Sequence, residues 1–180
     1  MIELLRARRS IRKFRDTPLE EKDLHVLTEA LLRSPTSRGG NPWEFIIVQD
    51  RQLIYQLSQA KEHGSAFLKD APCAIVIVGD EERSDVWVED CSIAAIIVQL
   101  CAQSLGIGSC WIQIRKRPHN DSTGSETYVR DLLGIPDNLR VGMIIGLGYP
   151  DERKLPVPSN QLPYHKIHTD RFSSVRKERK

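Results

Sequence analysis

From Val86 to Leu105 the chain reads as a helix that is apolar on nearly every side, and such a helix must be covered on every side. Its most apolar part, Cys91 to Leu105, holds Ser92, Gln99, Gln103 and Ser104 and falls short of the roughly 18 apolar residues of a membrane span. It therefore predicts a buried helix of a water-soluble fold. Two environments can bury it: the interior of one domain, or an interface shared by two copies of the chain. Both stay open at this level.

The segments around it follow a layered pattern. Leu4, Leu5 and Ile11 flank a basic run, which predicts a short opening helix ending near Arg9. Thr17-Pro18-Leu19-Glu20 reads as a helix start, with Thr17 as cap, Pro18 at the first helical position and Glu20 completing a capping box. Leu24, Leu27 and Leu31 continue it at helical spacing to about Arg33. Trp43–Val48 has the β-branched and aromatic content of a strand. Asp50–Ala60 is helical, Cys73–Val78 a short interior strand, Ser109–Ile114 a third strand, Glu126–Leu133 a helix stopped by Gly134, and Val141–Leu147 a fourth strand. Helices and strands in this order make one layered domain over residues 1–180. The stretch from 151 to 180, through Pro156, Pro158 and Pro163 to the charged end Arg176–Lys180, reads as an extended tail of that domain.

Composition excludes little but directs the search. With 180 residues, 40% of them hydrophobic and 28% charged, the chain builds a core without disulfides or metals. A net charge of +2 gives no global case for nucleic acid, so any basic partner argument is local. Met1-Ile2-Glu3-Leu4-Leu5-Arg6 lacks a secretory apolar region and a small-residue cleavage site. Cys73, Cys91, Cys101 and Cys110 form no Cys-x-x-Cys pair and sit in apolar surroundings, as reduced core thiols of a cytoplasmic protein would. His165 and His168 are three apart but lack carboxylate or cysteine partners, so no metal site is expected.

Three segments can carry chemistry. Arg8-Arg9-Ser10-Ile11-Arg12-Lys13-Phe14 is the densest positive run with Arg6 and Arg15; guanidinium forks and a serine hydroxyl cradle a phosphate. The alternatives are a solvated basic edge, or a nucleic-acid contact in which Phe14 is the sole stacking platform. Ser34 to Pro42, with two prolines and two glycines, clusters hydroxyl and amide side chains on a structured loop that suits a polar ligand or merely connects helix to strand. Gly106-Ile107-Gly108-Ser109-Cys110-Trp111 lets a ligand approach backbone amides. It is no dinucleotide fingerprint, because the third glycine is absent and helix precedes strand.

Taken together, Arg-Arg-Ser-x-Arg near the start, the Pro-Thr-Ser loop running into Asn41-Pro42-Trp43-Glu44-Phe45, an Asp90-led apolar helix and Gly-x-Gly-Ser-Cys-Trp resemble the nitroreductase family of flavoproteins, in that family's order from Leu4 to about Pro150. The resemblance implies an α+β fold, a three-layer α/β/α sandwich around a mixed, mostly antiparallel sheet. It also implies a domain-sharing homodimer whose tail, 151–180, packs on the partner subunit, with FMN bound at two interfacial sites. By position, Arg8, Arg9 and Ser10 would contact the phosphate and ribityl chain, and Arg12 the pyrimidine end of the ring. Pro35, Thr36, Ser37 and Asn41 would reach in from the other subunit. Ser109 and Cys110 would lie beside the ring, presenting backbone near N5. The implied activity is ping-pong transfer of hydride from NADH or NADPH to small acceptors such as nitroaromatics or quinones, with no protein residue as acid, base or nucleophile and with no membrane or nucleic-acid partner. A flavin-binding or sensing protein without turnover is the alternative on the same fold. The chain departs from the family pattern at Gly39, where asparagine is frequent, at Asn41, often glutamine, and at Val157 and Ser159, near a frequent basic pair. Arg38, Arg153 and Lys154 are the cations that could substitute for that pair.

Overall fold

The computed structural model describes residues 1–172. Its centre is a sheet of β1 (Trp43–Val48), β2 (Cys73–Asp80), β3 (Gly108–Gln113) and β4 (Leu139–Gly148), in the order β1-β2-β4-β3. The strand pairings are antiparallel, and a parallel bridge from Ser10 to Ser109 lays the amino-terminal segment along the β3 edge. The central strands β2 and β4 are covered on both faces and buried nearly end to end. That is why they read as continuous apolar runs instead of alternating ones.

Helices cover both faces. On one, α4 (Trp87–Ser104) and α2 (Glu21–Leu32) pack over Trp43, Ile75, Ile77, Met143, Ile145 and Leu147. On the other, α3 (Arg51–Ser58), α5 (Ser125–Leu133) and a 3-10 turn at Ala66–Asp70 pack over Val48, Val76, Val78, Ile112, Val141 and Ile144. The result is the expected α+β sandwich of three layers. Strand β4 serves both cores through a bulge: the register skips between Ile77 and Val78, so that Ile77 faces Met143 and Val78 faces Val141. Val141 and Met143 therefore point to opposite faces although they are two residues apart.

Local chemistry sets most boundaries. Asp50 caps α3 by accepting from the Leu53 amide at 2.8 Å, and α5 stops at Gly134, whose φ of 64° is left-handed and costs a glycine little. The start of α2 departs from expectation. It begins at Glu21 with Glu20 as cap, so Thr17 and Pro18 lie outside the helix. The reason is Leu19, which at 5% exposure joins the core beside Leu27 and Leu31; an extended approach buries that side chain. Helix α1 (Ile2–Ala7) buries nothing.

The four cysteines are free. Burial pushes the Cys73 and Cys91 thiols up to about 12, so they stay protonated at neutral pH as small core hydrophobes. Helix α4 is buried on one side only. Cys91, Ala94, Ala95, Val98 and Ala102 meet the sheet, while Ile93 and Ile96 remain 37% and 39% exposed and Ile97 and Leu100 are half-buried. Among the described residues no helix is long and apolar enough to cross a membrane. After β4 the chain runs through two short 3-10 turns, Ser159–Gln161 and Tyr164–Lys166. The charged end, Arg176–Lys180, lies outside the described residues.

Candidate functional site

The basic amino-terminal segment is held against the sheet by its two apolar residues. Ile11 and Phe14, each 7% exposed, fit a slot where β3 and β4 carry glycine. A Cβ on Gly108 would stand 2.9 Å from Ile11 Cβ, and one on Gly148 would stand 2.9 Å from Phe14 Cδ1. Backbone bonds fix the register: the Ile11 amide donates to Ser109 O at 3.0 Å, Arg15 to Tyr149 O at 2.9 Å, and Asp151 to Lys13 O at 2.9 Å. With Phe14 buried, the stacking platform that nucleic-acid recognition would need is gone.

This anchoring gathers the polar groups on the side of β3 away from α4. Burial pushes the Cys110 thiol up, and Arg12, Ser10, Lys154 and Arg8 oppose that shift. The Arg12 guanidinium also lies 5.9 Å from the centre of the Phe67 ring, a cation–π contact. Lys154 Nζ donates to Ser10 O at 2.7 Å and pairs with Glu152 at 3.1 Å, while Arg9 donates to the Leu155 carbonyl. Glu152 accepts the Arg12 and Lys13 amides at 2.6 and 3.3 Å. Those bonds, the Arg12 amide first, and Lys154 hold its carboxyl below the usual carboxylate range. Glu152 is thus spent on orienting the segment, and the guanidiniums keep their charge for something else. Ser109 turns its hydroxyl the other way, 3.5 Å from Gln99 of α4.

The second cluster is the loop before β1. Buried Asp90 ties it to α4, accepting the Ser37 amide at 2.8 Å and the Ser84 hydroxyl at 3.1 Å. Thr36 Oγ1 closes the loop on Asn41, accepting its amide and donating to its Oδ1, both at 3.0 Å. Arg38 and Asn41 take positive φ, 52° and 44°, a conformation that asparagine tolerates better than most residues. Ser34 lies buried at the start of this loop, whereas Pro35, Ser37 and Asn41 lie at its surface.

One chain does not bring the two clusters together. Trp43, at the end of the loop, pairs with Gly79, which pairs with Arg140 at the start of β4. Ser109 pairs with Leu147 at the other end of β4, and β1 and β3 are the opposite edges of the sheet. From strand spacing and rise, the two clusters occupy diagonal corners on the order of 20 Å apart. Arg8, Arg9, Ser10, Arg12, Ser109 and Cys110 form one half of the expected site, and Pro35, Thr36, Ser37 and Asn41 the other. Lys154 is the cation that reaches the first half, while Arg38 belongs to the second. Glu152 and Phe67 carried no signal in the sequence, since a lone acid after β4 and a lone aromatic in a turn match no motif.

The donor set suits a phosphate-bearing ligand. Two to four cations converge without a free carboxylate, which is what a phosphate requires, and backbone lies close on a glycine-bearing edge.

Comparison with known proteins gives the lineage. A family model described as the nitroreductase family matches residues 5–64 and 57–149. The chain is 33% identical, over 95% of its length and 98% of the other, to an Archaeoglobus fulgidus protein assigned by name to the NADH dehydrogenases and NAD(P)H nitroreductases. It is 26% identical to an NADPH-flavin oxidoreductase of Vibrio harveyi, over 97% of this chain and 75% of that one. Among solved structures, an FMN-dependent nitroreductase from Clostridium difficile superposes with a TM-score of 0.94 at 45% identity, covering 96% of this chain and all of the other.

Proposed function

This chain belongs to the nitroreductase family, and on that premise we propose that it is a homodimeric FMN-dependent oxidoreductase. It takes hydride from NADH or NADPH and reduces small acceptors, with nitroaromatics and quinones as convenient ones. The observation that carries this reading is the diagonal split of the site: cations at one corner of the sheet and the hydroxyl-amide loop at the other. A two-fold axis that sets one copy's loop against the other copy's cations makes two complete sites from two halves. The uncovered stripe Ile93, Ile96, Ile97 and Leu100 of α4 supports the same axis. So does the tail, where Leu155, Ile167 and Phe172 are 70%, 73% and 87% exposed and gain cover by packing on the partner.

The chemistry that bound FMN supplies is hydride acceptance from the nicotinamide and return of the electrons to an oxidant, one reactant at a time. Arg8, Arg9 and Ser10 hold the phosphate and ribityl chain, with Lys154 standing in for the basic pair replaced by Val157 and Ser159. Arg12, set by Phe67 and by the Glu152 bond to its amide, would offer positive charge to the pyrimidine end of the ring, which would favour the anionic reduced flavin. Ser109 and Cys110 present backbone beside the ring. Pro35, Thr36, Ser37 and Asn41 of each copy close the other copy's site. No side chain acts as acid, base or nucleophile.

Protein reconstituted with FMN should show a visible flavin band that either reduced nicotinamide bleaches without oxygen and that a quinone restores. Failure to take up FMN defeats the reading. Bound flavin that neither nucleotide bleaches supports binding without turnover instead.

A further inference from the structure

Beyond the flavin chemistry, we propose that the cleft between α5 and the turn after β3 binds a phosphate monoester carrying a neighbouring hydroxyl. The cleft has a volume of about 600 Å³ and is walled by Arg115, Lys116, Arg117, Arg130 and Arg140, with Trp87 and Glu126 between them. It lies at the end of the sheet remote from the Ser10–Ser109 bridge, since Arg140 opens β4 and Arg115 follows β3.

Its charges are only partly answered. Arg140 is neutralised by Glu81 at 2.7 Å, and Arg130 pairs with Asp137. Among the described residues Arg115, Lys116 and Arg117 form no ion pair. Arg115 is instead planted 5.6 Å over the Trp87 ring. Burial and then the charge of Arg117 push the Lys61 ammonium below its usual value. Two buried polar atoms on the cleft wall have no partner, Arg130 Nε and Glu126 Oε1. The amino terminus of α5, capped at Gly124 by no side chain, opens on the same space and adds its dipole.

The pattern selects its ligand. Five cations against Glu81, Glu126 and Asp137 leave two positive charges, matching a phosphate monoester near neutral pH. The guanidinium forks of Arg115 and Arg117, which line the cleft and form no ion pair among the described residues, suit phosphate oxygen. The Glu126 carboxylate on the cleft wall accepts, so it calls for a donor, which a hydroxyl on the adjoining carbon supplies. The ribose-phosphate end of NADPH has this chemistry, and so do free sugar phosphates. The cleft shares its end of the sheet with the loop at 34–42, which on the dimeric reading above faces the partner's cations.

Calorimetry on the FMN-loaded protein with adenosine 2′-phosphate tests the proposal. Binding is expected with a Kd below about 1 mM and none for unphosphorylated adenosine. Arg115→Gln and, separately, Arg117→Gln should each weaken it about tenfold, as loss of a charge-assisted bond does. The Arg117 side chain is at the surface, so its variant keeps the fold if Arg115→Gln disturbs Trp87. Absence of binding heat up to about 10 mM, or affinity in both variants unchanged from the parent protein, overturns the site. Steady-state kinetics then identify the source: in Arg117→Gln a KM raised for NADPH alone assigns the phosphate to the reductant. Weakened adenosine 2′-phosphate binding with both KM values unmoved assigns a separate sugar phosphate. The visible spectrum separates this proposal from the flavoprotein reading: colourless protein that still binds the probe defeats the latter and leaves the cleft standing.

Discussion

Ile96→Glu is expected to yield a folded, colourless monomer. Ile96 projects from α4 at 39% exposure in a stripe with Ile93, Ile97 and Leu100, so a single chain loses no internal contact of consequence when the residue changes. In a two-fold assembly the same stripe meets its own copy, and each substitution counts twice. Two unpaired carboxylates trapped there cost several kcal/mol, enough to shift the dimer to monomer at micromolar concentrations. With the partner's Thr36, Ser37 and Asn41 gone, each flavin site keeps only its cationic half, and FMN affinity should fall about a hundredfold, or about 2.7 kcal/mol. Sedimentation, far-ultraviolet circular dichroism and flavin titration read the three effects separately. A yellow, dimeric Ile96→Glu would show that this face is not the interface.

Gly108→Ala should be nearly as damaging to flavin binding through a different route. The added Cβ would lie 2.9 Å from both Cβ and Cγ2 of Ile11 and 3.1 Å from its Cγ1. These atoms sit at the branch of a buried side chain and cannot swing aside as a flexible tip would. The amino-terminal segment must lift from β3, stretching the Ile11 amide bond to Ser109 O, now 3.0 Å. Overpacking of this kind costs about 1–3 kcal/mol of stability. The larger consequence is positional, because Arg8, Ser10 and Arg12 ride on Ile11, and a displacement near 1 Å can cost about a hundredfold in a positioned site. The expected result is a melting temperature lowered by a few degrees with FMN affinity down tenfold or more. Unchanged flavin affinity would mean that these residues do not set the phosphate cradle.

The fold was largely legible in the sequence because its elements differ in period. The continuous apolar runs at Cys73 and Val141 are central strands covered on both faces, and Gly134 stops α5 where a left-handed residue is needed. The start of α2 was misleading since Thr17-Pro18 has good capping chemistry locally, while the burial of Leu19 is decided by the sheet beneath it. The bulge between Ile77 and Val78 was invisible: nothing in the alternation of β4 says that Val141 and Met143 part company. The residues of the candidate site stand out as three motifs, but their separation on opposite corners follows from strand order, which sequence does not reveal. Lys154 was named without a place, and its bond to Ser10 O depends on how the chain turns after Pro150. Arg115-Lys116-Arg117 carries no motif of its own, and only α5 and β4 set Arg130 and Arg140 beside it.

The central claim is that two copies of this chain hold one flavin between them at each of two sites. Sedimentation velocity of the FMN-loaded protein, followed at the flavin band, addresses it most directly. All bound flavin should travel with a particle of twice the chain's mass, at one flavin per chain, and none with a single chain. Flavin that sediments tightly bound to the monomer would contradict the account.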